Sequence, residues 1–540
     1  MNLARCVADV LAEHVSFEVE CIDRMYCNVY VPRLQYVNGL VGYVHKQLGL
    51  PIASTAPLAA ITDRFVLQIH KFAKANHISW VDLVKGQRKD DVLHEQLKVF
   101  EASGQTEGVV FIGRAQEKTN LFRTEKRRNA EGHAYPWIVR STGVVNHFYF
   151  YCLDEDFGPF FVKFCSYFPY TAKLCLNGHH WAQRQAAQAG IGFTAMDNAF
   201  GSVEDPAALQ QICDGLGPAQ IYALVDKWLP ILPDPFSDAD RAAGYRYDVS
   251  ILQAEFSLTQ MLDAPVTGRI FFEHVIRDNL DVGRAEKVGL IFGRRVHRGR
   301  KRSTQSRFRT RVITDGVTPS LHADYKHTAI KQYHKEGRAL RTETTINDTW
   351  DFDIGKRLVN LPALREIGFS ANRRLLRVQQ LDHDPITGTQ HLHQITDPVT
   401  TESGTRIPGL RLDQARSHAL LSALLMFRTQ FDGFTNCDLR TLTGQLRGLD
   451  PATLSTGQAT YDLRRLRSHG LIERVPHSHR YKVTHTGLHT AMLLTRIHER
   501  VLPTGLAEQL DPHGGSRLHT AAANYQRALD TLAKENGLAA

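Results

Sequence analysis

The stretch that decides the fold of the carboxyl-terminal part is Leu463–Gly487, LRRLRSHGLIERVPHSHRYKVTHTG. Its first residues are helix formers, and His469–Gly470 predicts the helix end because glycine readily adopts the left-handed conformation that terminates helices. Two runs of strand-forming residues follow, Leu471–Val475 and Tyr481–Thr484, on either side of the turn-forming tip Pro476–Arg480. The pattern predicts a helix followed by a β-hairpin.

Two further helices are predicted upstream of this one. Leu410–Phe431 carries leucines on or near one face, as a core-facing helix does. Thr435 is placed to cap a second helix over Asn436–Leu446, and the helix that leads into the hairpin begins near Ser455. Three helices at this spacing predict a helix-turn-helix unit.

Residues 412–503 resemble the winged-helix domain of MarR-type regulators, and the resemblance is strongest in the quoted stretch. It implies that the third helix enters the major groove of duplex DNA and that the hairpin, the wing, lies along the phosphate backbone. From their positions, three residues are expected to reach base edges: Gln458, Tyr461 and Arg464. The remaining predicted nucleic-acid contacts are Arg465, Arg467, Arg474, His479 and Arg480.

A second basic feature is Arg294–Arg311, RRVHRGRKRSTQSRFRTR, with nine lysines or arginines and no acid. Repulsion among like charges at this density is relieved best by phosphates, whose binding releases counterions. We therefore expect Arg300, Lys301 and Arg302 to contact nucleic acid, although a solvated loop is the alternative.

The composition of the chain limits the classes of protein to which it can belong. The 540-residue chain has a formal net charge of +9, a pI near 9.1 and 43% apolar residues, which favours a folded protein that contacts a polyanion. Its eight cysteines include no Cys-x-x-Cys pair, and neither a secretory leader nor an apolar run long enough to span a bilayer is visible. These features predict a cytoplasmic protein, without membrane contact and able to form homo-oligomers.

The predicted fold class is a multidomain α+β and α/β protein. The expected domains are an α/β domain at residues 1–135, a central α/β domain at 136–290, a basic loop with a β-rich domain at 291–405, the winged-helix domain at 406–505, and a tail with a helix at 506–540.

The central region has an order of elements that resembles the ribonuclease-H-like fold. Aromatic and β-branched residues predict strands at Val144–Leu153, Phe160–Phe168 and Ala172–Leu176, followed by a helix from His180 and a strand over Ile191–Met196. The resemblance implies a carboxylate at the end of the first strand, another near the end of the fourth, and a third from a later helix.

The candidate carboxylates are Asp154, Asp156 and Asp197, which would hold two Mg²⁺ or Mn²⁺ ions for phosphodiester cleavage. Glu255, on a predicted helix over Asp248–Leu262, and Glu273 are the candidates for the third ligand. Two alternatives stay open. The acids near residue 155 are also typical of a polar turn, and their order with His179 or His180 and Asp197 also follows that of primase-polymerases.

Ala339–Asn347, ALRTETTIN, places Arg341, Glu343 and Thr345 on one face of a predicted strand. The segment is faintly similar to a strand of phage and plasmid replication initiators, and a cross-strand ion pair explains it equally well. Together with the segments at 149–170 and 177–185, it also resembles an uncharacterised bacterial protein family, a resemblance that implies no function.

Three functions follow from these patterns. The leading hypothesis is a DNA-binding protein of a mobile element or of genome maintenance, with metal-dependent nuclease or strand-transfer activity of a transposase-like kind. The alternative is a non-enzymatic transcriptional regulator or replication initiator. The third is an RNA-binding protein that stacks bases on the aromatic strand Phe148–Tyr151.

Overall fold

The protein divides into two compact units, residues 1–386 and 387–540. The computed structural model describes residues 5–84, 86–263, 265–294, 310–313, 319–381, 384–401, 404–428, 430, 432–510, 520, 524 and 527. The first unit is a mixed α/β structure built on one large sheet, and the second is mainly helical.

The strands of the first unit run from the amino terminus to residue 381. They are β1 (Arg5–Cys6), β2 (Val15–Tyr30), β3 (Ser79–Asp82), β4 (Gly108–Arg128), β5 (Ala134–Asp154), β6 (Gly158–Cys165), β7 (Ala172–Asn177), β8 (Phe193–Ala195), β9 (Phe200–Val203), β10 (Asp248–Leu262), β11 (Thr310–Ile313), β12 (Ser320–Tyr325), β13 (Thr328–Lys335), β14 (Ala339–Ile346) and β15 (Gln380–Leu381).

The helices of the first unit lie between and after these strands. They are α1 (Val7–Leu11), α2 (Val37–Lys46), α3 (Ala56–Ala75), α4 (Lys89–Ala102), α5 (Gly178–Gln188), α6 (Pro206–Gly215), α7 (Pro218–Trp228), α8 (Asp238–Ala242), α9 (Pro265–Asp278), α10 (Ala285–Phe292) and α11 (Leu361–Val378). Short 3₁₀ turns occur at Pro32–Leu34, Thr349–Phe352 and Leu358–Asn360.

Among the described residues, the large sheet has eleven strands in the order β11-β12-β13-β14-β10-β2-β7-β6-β5-β4-β3. Neighbouring strands are antiparallel except for the parallel pair β3–β4. The predicted domain boundary at residue 135 falls within β5, and the sheet takes strands from both sides of the boundary at 290. One hydrophobic core therefore spans segments that the sequence pattern assigned to three domains.

Alternation along the strands separates the face of this sheet that carries the main core from a face that carries polar residues and a second, smaller hydrophobic cluster. On β5, Phe148 and Phe150 belong to the main core, and Phe150 packs against Phe72 of α3. Tyr149 and Tyr151 project to the opposite face because successive side chains of a strand alternate.

The three strands predicted between residues 144 and 176 are confirmed as β5, β6 and β7, and the helix that follows is confirmed as α5. The predicted strand over Ile191–Met196 is present in part as β8, but it pairs with β9 in a separate two-stranded sheet. In the part of the chain that the structure describes, β8 does not return to the large sheet. The arrangement that was expected to bring Asp197 to the end of β5 is therefore not formed.

The predicted helix over Asp248–Leu262 is wrong, because this segment is strand β10. It lies between β2 and β14 and pairs with both along most of its length. Its leucine, glutamine, alanine and methionine residues favour a helix in isolation, but two neighbouring strands override that weak preference. Burial on both faces also removes the two-residue alternation that would have indicated a strand.

The second unit contains the predicted helices and hairpin. After α12 (Pro385–Thr396), its elements are β16 (Val399–Thr400), β17 (Arg406–Ile407), α13 (Ala415–Phe427), α14 (Asn436–Leu446), a 3₁₀ turn (Pro451–Thr453), α15 (Thr456–Ser468), β18 (Ile472–Arg474), β19 (Tyr481–Val483), α16 (His485–Arg496), a π-helical turn (Ile497–Val501) and α17 (Leu502–Leu510).

The local signals act as expected at these helix starts. The Thr435 hydroxyl accepts a hydrogen bond from the Asp438 amide at 3.3 Å, and the Ser455 hydroxyl accepts one from the Gln458 amide at 3.2 Å. Behind them, Leu424, Leu463 and Leu466 are buried in a separate small core.

Candidate nucleic-acid interface

Helix α15 presents one polar, exposed face. Gln458, Tyr461, Arg464 and Arg467 are exposed, whereas Leu463 and Leu466 are buried in the core of the second unit. These exposed positions are three residues apart, so neighbouring ones differ by about 60° and the four side chains spread over about half of the helix circumference. Within the described residues, Arg464 and Arg467 form no hydrogen bond or ion pair, so their guanidinium groups are available to a ligand.

The only acid of α15 does not lie on that face. Asp462 is buried, and its Oδ2 is 2.8 Å from Nη2 of Arg416 on α13. Burial raises the pKa of the Asp462 carboxyl, although Arg416 opposes that effect. The exposed face of α15 therefore carries arginines and no carboxylate that would repel the phosphates of a nucleic acid.

Arg465 is not part of the exposed face, which corrects the prediction that it contacts DNA. Its side chain is buried, and its guanidinium donates hydrogen bonds to the carbonyl oxygens of Pro408 and Gly409, with Nε at 3.1 Å from the former. It occupies the one position in the arginine-rich run that turns toward the protein. Arg465 is a structural residue that holds the chain before α13 against α15.

The hairpin carries a second exposed basic group next to α15. Arg474, His479 and Arg480 are exposed as expected, and Lys482 on β19 is exposed as well, although the sequence interpretation did not select it. Arg474 Nε donates to the Ser478 carbonyl at 2.9 Å, a contact that fixes the hairpin tip.

Main-chain pairing anchors the hairpin to the segment before α14. Phe434 and Tyr481 exchange two backbone hydrogen bonds, at 2.9 and 2.8 Å, and Arg480 donates to the Gly433 carbonyl at 2.8 Å. Gly433 has φ +76°, and a Cβ there would lie 2.5 Å from the Tyr481 carbonyl oxygen, so only glycine fits. The hairpin is thus held in place at the edge of the helical unit.

Residues of α14 fix the start of α15. Asn436 Nδ2 donates to Thr460 Oγ1 at 2.9 Å, and Arg440 Nη1 donates to Thr456 Oγ1 at 3.2 Å. Thr460 is exposed beside Tyr461 and joins the candidate interface. Its spacing from Arg464 and Arg467 was a usable signal that the sequence interpretation overlooked.

The remaining predicted nucleic-acid contacts, Arg300, Lys301 and Arg302, lie outside the described residues.

The predicted carboxylates of the first unit do not form a metal centre, and Asp154 shows why. Its side chain is buried: Oδ2 accepts hydrogen bonds at 2.8 Å from Lys227 and from the indole of Trp228, and Oδ1 accepts the amides of Asp156 and Phe157. Burial alone would raise its pKa, but the bonds from Lys227 and Trp228 outweigh that effect and lower it. Asp154 is a turn residue that also binds α7.

The other four acids lie in different local environments. Asp156 is exposed and accepts a hydrogen bond from Gln188 at 3.1 Å, whereas Asp197 is exposed and lies 3.5 Å from Lys335 of β13. Glu255 is on β10, where burial raises its pKa to about 7, and Glu273 is exposed on α9. Among the described residues, Asp154 or Asp156, Asp197 and a later acid do not form a group of three whose ligand atoms lie within 4.8 Å of one another.

Across the described ranges, a different trio has ligand atoms close enough to share one ion: Glu13, His14 and Asp384. His14 Nε2 is 2.9 Å from Asp384 Oδ2, and the guanidinium of Arg5 already pairs with Glu13. None of the predicted acids belongs to this group.

The ALRTETTIN strand is confirmed as β14, and its arginine is at the centre of a buried ionic cluster. Arg341 is fully buried and lies 2.7 Å from Asp23, 2.8 Å from Glu343 and 3.0 Å from His179 Nε2. Because arginine only donates hydrogen bonds, His179 Nε2 accepts, so the ring is neutral. Burial, and then the charge of Arg341, lower the pKa of His179 to about 3. The motif is explained by an ion-pair cluster that links β14 to β2 and α5.

In comparisons with known proteins, no family model, no curated protein and no solved structure matches the chain. In the part of the chain that the structure describes, no helix has the length and apolar character needed to cross a bilayer. Function must therefore be argued from the residues of the two units themselves.

Proposed function

We propose that the chain binds duplex DNA through its second unit, with α15 in the major groove and the β18–β19 hairpin along the backbone. The observation that carries this proposal is the exposed face of α15, where Gln458, Tyr461, Arg464 and Arg467 lie together while Asp462 and Arg465 turn inward. This is the arrangement expected of a winged-helix domain of the MarR type.

Charge supports the proposal. Between Asn436 and Val483 the chain has eight lysines or arginines and four acids. One of those acids, Asp462, and one of those arginines, Arg465, are buried, so the remaining residues keep the same excess of four positive charges. A basic face of this kind binds phosphates by releasing their counterions.

The dimensions and side-chain types support it as well. The 13 residues of α15 form a rod of about 20 Å whose diameter suits the major groove. Gln458, Tyr461 and Arg464 are placed to reach base edges, whereas Arg467, at the end of the helix, suits a phosphate.

For the whole chain, we propose the non-enzymatic class, a regulator or replication initiator. The nuclease hypothesis depended on Asp154 and Asp197 sharing metal ions, and these residues are committed to Lys227 with Trp228 and to Lys335, respectively. The large sheet of the first unit then serves to bind a further ligand or to organise an assembly.

The test is a gel-retardation and cleavage assay on labelled random-sequence duplex DNA in Mg²⁺, Mn²⁺ or EDTA. We expect retention without cleavage in all three, and loss of retention in the double variant Arg464→Ala, Arg467→Ala. The matched control is Arg496→Ala, which removes an exposed arginine from α16 and is expected to retain DNA normally. Equal retention by both variants would refute the interface, and metal-dependent cleavage that survives Asp197→Ala would reveal a nuclease centre elsewhere.

A further inference from the structure

The polar face of the large sheet carries two adjacent rows of side chains that its register brings together. Directly opposed residues of antiparallel strands project to the same face, so each chain of pairs across β10, β2, β7, β6 and β5 forms a row. One row is Gln253, Tyr26, Cys175, Phe161 and Tyr151. The other is Asn28, Lys173, Lys163 and Tyr149. An aromatic row thus runs beside a lysine row.

These rows form the floor of a long groove, which we call the sheet groove. Its first part, of about 470 Å³, is lined by Arg24, Tyr26 and Lys163, among others, and its second part, of about 610 Å³, by Asn28, Tyr30 and Arg140. Lys173 lines both parts, so they are adjacent. Along β2 alone, the six residue steps from Arg24 to Tyr30 span about 20 Å.

The first part of the sheet groove has more positive than negative charge. Five basic side chains line it. The nearby acids are Asp90, which lies 3.5 Å from Arg24, Glu117, which lies 2.6 Å from Lys163, and Glu255, which accepts a hydrogen bond from Gln253 at 2.9 Å. The basic residues are Arg24, Arg88, Lys89, Lys163 and Lys173.

The proximity of these cations affects the pKa of a lysine among them. Burial, and then the neighbouring charge of Lys163, lower the pKa of Lys173. Burial alone would raise the pKa of Glu117, but hydrogen bonds from Lys163 and Tyr149 lower it to about 2, so this acid is charged and still leaves a positive excess. An anion in the groove would relieve the repulsion.

Aromatic rings are placed beside the cations in both parts of the groove. Tyr26 and Phe161 are half-buried on the floor of the first part, whereas Tyr149 and Tyr151 are each only 3% exposed. Lys89 Nζ lies 4.0 Å from the centre of the Tyr149 ring. In the second part, Tyr36 is 65% exposed beside Tyr30. Rings next to cations suit bases next to phosphates.

We propose that the sheet groove binds a single-stranded nucleic acid, with bases against the half-buried rings of Tyr26 and Phe161 and phosphates against its lysine row. The length of the groove favours a strand of several nucleotides over a mononucleotide. Paired bases cannot reach the rings, so a duplex is disfavoured. This site lies wholly within the first unit and does not depend on duplex binding by the second.

The test measures binding of labelled 20-nucleotide DNA and RNA single strands by fluorescence anisotropy. All proteins carry Arg464→Ala and Arg467→Ala, so that α15 does not contribute. Lys163→Gln with Lys173→Gln removes two phosphate contacts, which we expect to weaken binding roughly 15-fold at 0.15 M salt. The matched control is Lys71→Gln with Lys74→Gln, two exposed lysines of α3, the helix that packs on the opposite face of the sheet.

A second variant keeps the proposal falsifiable if the lysine pair disturbs folding, which thermal unfolding would reveal. Tyr26→Leu retains an apolar side chain and removes a stacking ring, and it is expected to reduce affinity on the order of tenfold. Unchanged affinity in folded groove variants would overturn the proposal. So would a mononucleotide that competes as well as the 20-nucleotide strand, or a duplex bound equally tightly. Preference for RNA or for DNA then identifies the strand that the groove accepts.

Discussion

Arg464 and Arg465 are neighbours in sequence, and the structure predicts opposite consequences for their loss. Arg465→Ala removes two charge-assisted hydrogen bonds to the carbonyls of Pro408 and Gly409 and leaves a space in the packed interior. The free energy of unfolding of the second unit should fall by about 3 kcal/mol, which lowers its melting temperature by roughly 10 °C. Arg464→Ala removes an exposed side chain and should leave melting within about 1 °C of the parent.

Differential scanning calorimetry and duplex binding, measured on the same preparations, separate the two cases. At a temperature where both variants are folded, Arg465→Ala should bind DNA as the parent does, whereas Arg464→Ala should bind more weakly. An Arg465→Ala protein that melts normally and loses DNA binding would refute the inward placement of this side chain.

Three further predictions concern the first unit. Asp154→Asn should destabilise the first unit by about 2 kcal/mol at pH 7, because Lys227 loses its charged acceptor. Since the pKa of Asp154 is lowered, the difference from the parent in urea unfolding should vanish as the pH falls below about 4. The pKa of Glu255 is raised to about 7, so ionising this side chain lowers the stability of the folded protein as the pH rises from about 4 to 7. Glu255→Gln should therefore be more stable than the parent by on the order of 2 kcal/mol at pH 8, and equally stable near pH 4. Arg341→Met leaves Asp23 buried without its cation and should cost about 3–5 kcal/mol, seen as a lowered urea midpoint; an unchanged midpoint would contradict the ionic cluster.

Local signals in the sequence were sufficient to predict the helices and the hairpin of the second unit. Capping residues Thr435 and Ser455 and the His469–Gly470 helix end specify short-range geometry that depends on few other residues. The exposed residues of α15 followed from helical spacing alone. What spacing did not reveal is that Arg465 turns inward, because the carbonyls it satisfies lie 56 and 57 residues earlier in the chain.

Contacts between residues far apart in the sequence explain why predictions for the first unit failed. Strand β10 has helix-forming residues and lacks alternation because β2 and β14 cover its edges and both its faces are buried. The partners of Asp154 and Asp197 come from α7 and β13, distant in sequence, so a reading of acids at strand ends could not separate turn residues from ligands. The sheet groove was equally hidden, since its rows exist only in the register of five strands.

The most direct test of the central claim is the salt dependence of duplex binding by the full chain. The logarithm of the association constant is measured against the logarithm of salt concentration for the parent and for the Arg464→Ala, Arg467→Ala variant. Because Arg467 is assigned to a phosphate and Arg464 to base edges, the slope should become shallower by about 0.9, and the lost phosphate contact alone should lower affinity about 5-fold at 0.15 M salt. Two coincident lines would contradict the assignment of α15 as the DNA-binding helix.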